Sequence, residues 1–231
     1  IVGRVGGAWL CSALLLSPLA ANAISVSGDI LVLDPPPTDA SHMALQSNDH
    51  AFFWTERIGV VLTIAEPVNV IPFLNNPSGH YDSGNAQVEA TWAGDLSPGS
   101  YSSYFLHADK QGASSVTFAG QITFDAEIEA IIYKQSELVD TDGILGAPST
   151  VYAGGGSGRI FELDGAQNWF TISADRLTLS FQTVVKHNMD DLRVVTGAVP
   201  EPGTALLLGL GLSGYVAWNR RRGAADFQKM E

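Results

Sequence analysis

The residues that come nearest to a catalytic pair are two glutamates in the stretch TFDAEIEAI, Glu127 and Glu129. Glycoside hydrolysis needs two carboxylates facing each other across a cleft. Glu127 and Glu129 instead alternate with Ala126, Ile128 and Ala130, which puts them on the same side of one strand, together with Asp125. That pattern predicts a solvated acidic face rather than an acid and base. The five histidines, His42, His50, His80, His107 and His187, lack the i, i+4 spacing of a helical zinc site, and no H-E-x-x-H occurs. His107, inside YFLHAD, is expected to be a strand residue with a satisfied hydrogen bond. No serine sits in a G-x-S-x-G elbow. The glycines of GGGSGR (154–159) precede neither a P-loop lysine nor a helical pattern, so they predict a hairpin loop.

Two residue sets remain as candidates for binding. DTDG (140–143) begins like a calcium loop but lacks the later ligands and closing glutamate of an EF-hand. Asp109, Asp140, Asp142, Asp190 and Asp191 are the candidate ligands of a structural Ca²⁺ in an exported domain. Asp190 and Asp191 have a plainer role open to them, orienting loops through backbone hydrogen bonds. Trp54, Trp92 and Trp169 are candidate platforms for a sugar ring, although a tryptophan in a small domain is first a core residue. No catalytic residue is assigned, and neither an enzyme nor a cofactor beyond that calcium is expected.

The elements that would carry these residues read as strands. Short runs rich in β-branched and aromatic residues occur at 24–33, 87–92, 103–109, 115–133, 169–183 and 191–196. Turn chemistry such as PPPTD, NNPSG, LSPGS, KQG, TDG and AGGGSG separates them, and helical periodicity is scarce. The expectation is an all-β domain over 24–197, an antiparallel β-sandwich or jelly roll.

Composition agrees with a folded body. Of 231 residues 45% are hydrophobic and 16% charged, with a net charge of −12. Residues 24–199 hold 21 acidic against 7 basic residues, so the body is strongly anionic. A nucleic acid partner is therefore not expected, because phosphate binding needs a basic footprint. The single cysteine, Cys11, lies outside this body, so no disulfide or cysteine-based metal site is expected in it. A body of this length can bury a core without such staples.

The two ends read as targeting segments. Arg4, an apolar stretch from Ala8 to Leu19, and small residues Ala21 and Ala23 form the pattern of a secretory signal over 1–23, with cleavage after Ala23. Export machinery of the Sec type and a signal peptidase are the implied partners. At the other end, 203–218 is free of charge and lacks a polar face. As a helix it would be roughly 24 Å long, slightly short of a hydrocarbon core of about 30 Å. Tyr215 and Trp218 suit the interface, and Arg220, Arg221 and Arg222 obey the positive-inside rule. Residues 224–231 would form a short cytoplasmic tail.

The order Val199-Pro200-Glu201-Pro202-Gly203, apolar helix, arginine cluster resembles the PEP-CTERM sorting domain of exported bacterial proteins, here spanning 198–223. The resemblance implies recognition of Pro200, Glu201 and Pro202 by an exosortase, a membrane-embedded cysteine transpeptidase of Gram-negative bacteria that make exopolysaccharide. Arg220, Arg221 and Arg222 would hold the precursor in the inner membrane until processing releases it to the cell surface or the biofilm matrix. GSYSSYFLHAD, VTFAGQITFD, ILGAPSTVY and MDDLRVVT also occur in the order of a common type of PEP-CTERM cargo domain, over about residues 85–197. That likeness supports the architecture and implies no activity. The resulting expectation is a non-catalytic surface or matrix protein. A carbohydrate-binding module for exopolysaccharide is the alternative, and a surface glycoside hydrolase a more distant one.

Overall fold

The computed structural model describes residues 24–156, 158–186 and 189–198. The predicted signal segment with Ala21 and Ala23, the residues Pro200 to Pro202, the apolar stretch 203–218 and the arginines 220–222 lie outside the described residues, as does His187. Among the described residues no helix is long and apolar enough to cross a membrane.

Fourteen strands and two short helices are described. In chain order they are β1 (Ser25–Gly28), β2 (Ile30–Val32), β3 (Asp39–Ala40), β4 (Ala51–Leu62), β5 (Glu66–Val68), β6 (His80–Tyr81), α1 (Ala86–Glu89), β7 (Gly94–Leu96) and β8 (Gly99–Ala108). They continue with β9 (Val116–Thr123), β10 (Ile128–Ile132), α2 (Gln135–Leu145), β11 (Val151–Tyr152), β12 (Trp169–Ile172), β13 (Thr178–Val185) and β14 (Asp190–Gly197). Two five-stranded sheets dominate. The first runs β1-β9-β13-β12-β6 and the second β10-β14-β8-β4-β2. Pairing is antiparallel apart from β2 with β4 and β11 with β3, which are parallel.

Side-chain alternation divides the apolar residues into two cores. Phe53, Tyr104, Leu106, Leu192 and Val194 of the second sheet share a cluster with Phe118, Ile122, Phe170, Leu179 and Phe181 of the first. This is the interior of a sandwich. Their strand neighbours Phe52, Trp54, Phe105 and Val195 point the other way and pack with Leu138 and Leu145 of α2. The second sheet is thus buried on both faces, which explains the unbroken burial of Ser102–Ala108 and of Asp190–Thr196. The first sheet is buried on one face only, and β13 alternates strictly between half-exposed and buried positions.

Several expected strands differ from the observed ones. The run 115–133 is two strands, β9 in the first sheet and β10 in the second, joined by a turn at 124–127. The run 24–33 likewise divides into β1 and β2, one in each sheet. Gly28 makes that crossing, with φ +87°, and a Cβ there would lie 2.4 Å from the Ala119 carbonyl oxygen. The run 169–183 folds into the hairpin β12–β13, whose turn is set by Asp175 accepting from the Ser173 hydroxyl and the Leu177 amide. Residues 87–92 are not a strand. Asn85 caps α1 by accepting from the Gln87 and Val88 amides, and this local cap overrides the alternating pattern. Asp140 and Asp142 lie in α2 rather than in a turn or calcium loop.

Candidate functional site

The densest cluster of ionisable groups lies on the α2 side of the second sheet. Arg193 on β14 donates through Nε and Nη2 to both oxygens of Glu56 on β4, at 2.6 and 2.8 Å. Its Nη2 also reaches Asp142 Oδ1 at 2.8 Å, and Nη1 reaches Thr141 Oγ1 at 2.7 Å. Arg159 forks onto the same Asp142 at 2.5 and 2.9 Å and donates through Nε to Asp191 Oδ2 at 2.8 Å. The other oxygen of Asp191 meets His107 Nδ1 at 2.7 Å, and His107 Nε2 lies 3.0 Å from the Leu45 carbonyl oxygen. Tyr152 donates to Glu56 at 2.5 Å. The guanidinium carbons of Arg159 and Arg193 stand 4.9–5.6 Å from the ring centroids of Phe105 and Tyr152. The side chains of Arg159, Arg193, Glu56, Asp191 and His107 have no solvent exposure, whereas that of Asp142 is 21% exposed.

By residue type this cluster suggests an active site, and its geometry points to a different role. Both ring nitrogens of His107 face acceptors, a carboxylate and a carbonyl, so the arrangement favours the doubly protonated ring. Burial opposes that charge, but Asp191, with Asp109 and the Leu45 carbonyl, outweighs it and raises the His107 pKa. Arg193 follows the same logic: burial acts against its charge, and Glu56 and Asp142 hold it in place. Three cations, His107, Arg159 and Arg193, then balance three anions, Glu56, Asp142 and Asp191. The nitrogen that a catalytic histidine would offer to a nucleophile is spent on a backbone carbonyl. The arrangement is a neutralised polar weld between β4, β8, β14, α2 and the 153–163 segment.

Sequence reasoning singled out His107 as a satisfied strand residue and Asp142 and Asp191 as calcium candidates, and it did not single out Glu56, Tyr152, Arg159 or Arg193. Glu56 and Arg193 are 137 residues apart, so no spacing could join them. The available signal was one arginine within the otherwise apolar run LRVV on β14.

The candidate calcium ligands are dispersed. Asp109 accepts from the Met43 amide at 2.7 Å, and Asp190 is bonded to the Thr183 hydroxyl across the sandwich. Burial, with Glu162, Asp191 and Asp164 adding repulsion against the Thr183 bond, pushes Asp190 up to about 7. Asp142 and Asp191 belong to the weld, and Asp140 is exposed on α2. Among the described residues no three His, Cys, Asp or Glu side chains stand together as a metal site. The expected acidic face is present in part: Glu127 and Glu129 face solvent beside buried Ile128 and Ala130, while Asp125 lies in the turn before β10 with one carboxylate oxygen buried. Glu127 lies before β10 and Glu129 on it, and Arg176 pairs with both. Their side chains are 51% and 35% exposed. Trp54 and Trp92 are buried and offer no ring to solvent, while Trp169 on β12 is half-exposed.

Two surface depressions flank the weld. One, about 410 Å³, is lined by Arg57, Asp142, Thr150 and Tyr152, and the other, about 270 Å³, by His42, Gln46, Asp109 and Lys110. Several of their polar groups already have protein partners: Arg57 Nε donates to the Gly146 carbonyl, Thr150 to Pro37, and Gln46 to Lys110.

Beyond β14 the chain runs into Val199-Pro200-Glu201-Pro202, an apolar stretch and three arginines. Residues 198–222 match the family model of the PEP-CTERM protein-sorting motif. The PEP-CTERM motif indicates an exported protein, carried as a membrane-anchored precursor and sorted by an exosortase. No curated protein and no solved structure matches the chain.

The cargo that precedes the PEP-CTERM motif has one further distinctive surface, the open face of the first sheet. β9 presents Thr117, Ala119, Gln121 and Thr123 there, and β13 presents Thr178, Ser180, Gln182 and Val184. β12 adds Trp169 and Thr171, in register with Gln182 and Ser180. None of these ten side chains is charged; Lys186 is exposed just beyond β13 and paired with Asp164 at 3.8 Å. At its edge His80 bonds Thr171 at 2.8 Å and pairs with Asp82 at 3.4 Å.

Proposed function

We propose that the mature chain is a non-catalytic protein of the cell surface or extracellular matrix, delivered there by exosortase processing at Pro200, Glu201 and Pro202. The observation that carries this reading is the PEP-CTERM match at 198–222. It is supported by the way the body spends its ionisable groups. The buried arginines, carboxylates and histidine neutralise one another, and both nitrogens of His107 are used within the fold. Catalysis requires groups left free to meet a reacting atom.

Glu201→Ala in an exosortase-bearing host tests the reading. The wild type is expected in the surface or matrix fraction and the variant in the inner membrane. The same distribution for both would refute it.

A second reading, a carbohydrate-binding module for exopolysaccharide, is favoured by the first sheet's open face with its half-exposed Trp169. It replaces Trp54 and Trp92 with a hydroxyl- and amide-lined surface as the place where a glycan would rest.

A further inference from the structure

We propose that the open face of the first sheet binds a neutral polysaccharide chain lying across β9, β13 and β12, with Gln121, Ser180, Thr171 and Gln182 as its hydrogen-bonding floor and Trp169 as its stacking ring. This rests on the carbohydrate-binding reading and adds the site and the charge class of the glycan.

The chemistry of the face selects the ligand. A sugar hydroxyl both donates and accepts, and so do serine, threonine and glutamine side chains. Register sets them in rows across the sheet: Gln121, Ser180 and Thr171 in one, Gln182 and Trp169 in the next. Adjacent strands lie about 4.8 Å apart, so each row is a ladder of polar groups at nearly constant spacing. The groups are held in place by one another. Gln121 Nε2 donates to Ser180 Oγ at 3.1 Å, Thr123 and Thr178 hydroxyls meet at 3.2 Å, and Gln182 Nε2 donates to the Gln167 carbonyl at 3.1 Å. The Ser180 hydroxyl keeps its own donor and a lone pair after accepting from Gln121, and this spare capacity is what a glycan would use. Fixing these side chains beforehand lowers the ordering cost of binding.

Charge decides against other partners. An anionic polymer would meet a body with 21 acidic and 7 basic residues, and no cation among the ten side chains that β9, β13 and β12 present. A protein partner generally docks around a buried apolar or aromatic cluster, and here Trp169 is accompanied only by Ala119, Val184 and polar groups. A neutral polyol loses little on leaving water for such a surface, because each hydrogen bond is exchanged for a similar one. Trp169 lies 5.6 Å from His80, ring to ring, and this neighbour holds one side of the indole at the sheet edge.

Affinity electrophoresis of the full chain in detergent tests the proposal, using gels that contain dextran, laminarin or hydroxyethyl cellulose, and alginate as the acidic control. The expected result is retardation by at least one neutral polysaccharide and none by alginate. Trp169→Ala should weaken that retardation by about tenfold, the scale of a tryptophan anchor. Gln121→Glu, which keeps shape and adds a charge, should also weaken it, and Gln87→Glu on α1 should leave it unchanged. Far-ultraviolet circular dichroism of each variant distinguishes lost binding from lost folding, and Gln121→Glu and Trp169→Ala act independently of each other. Retardation that survives both substitutions would keep the carbohydrate reading and overturn this face as its site. Retardation by alginate alone would overturn the neutral class. No retardation in any gel would overturn the site and the carbohydrate reading together. A dimer in sedimentation that Gln121→Glu dissociates would assign the face to a second copy of the chain instead.

Discussion

Arg193 sits where a side chain of its kind costs most, in the centre of a sheet with no solvent exposure, and it is tolerable only because Glu56 and Asp142 are brought to it. Removing one partner of such a pair leaves buried charges unanswered. Arg193→Met is therefore expected to destabilise the body by about 3–5 kcal/mol, read as a lower urea midpoint at unchanged slope. Asp190 presents the opposite case, a carboxyl bonded to Thr183 between the sheets and pushed up to about 7. Its folded pKa is raised above the ordinary 3.8. Its contribution is full below that ordinary value and is lost as pH rises through about 7. Asp190→Asn should therefore gain on the wild type as pH rises from 4 to 8, by at least about 3 °C in Tm at pH 8, and calorimetry across that range checks it. His107 has the same sign: its stabilisation is present below the ordinary histidine pKa and is lost on passing above its raised folded value. Little of this was legible in the sequence. His107 was expected to be a satisfied strand residue, and its ring is bonded at both nitrogens, but its partners come from β14 and from the loop at Leu45.

At the scale of elements, sequence patterning worked where a strand has one wet face or a long apolar run. β8 and β14 fall close to the expected 103–109 and 191–196. It failed where the chain changes sheet. Residues 115–133 keep an unbroken strand-like composition, yet Phe124 enters the core and the chain crosses at 124–127, because both sheets demand the same residue types. β4, the longest strand, was not recognised, since AFFWTERIGVVL is buried on both faces at first and lacks alternation there. The crossing at Gly28 is the sharpest element-level requirement. Its backbone is left-handed, and a Cβ would also lie 2.7 Å from Gly120 Cα. Gly28→Ala is expected to cost roughly 1–3 kcal/mol, through strain at φ > 0 and displacement of β1 from β9. A thermal melt measures it, and an unchanged midpoint would show that β1 contributes little to the first sheet.

For the molecule as a whole, the sequence spoke most clearly at its C-terminal end and least clearly in its body. The Pro-Glu-Pro, apolar stretch and arginines are contiguous, so a pattern of 25 residues carries the sorting motif. The weld and the polar open face are assembled from strands scattered between residues 56 and 193, and only the fold brings them together. The most direct measurement is the intact mass of the exported chain from hosts with and without the exosortase. Processing predicts a mass lacking the arginine cluster 220–222 in the first host and retaining it in the second. An arginine-bearing C-terminus in both would contradict the account.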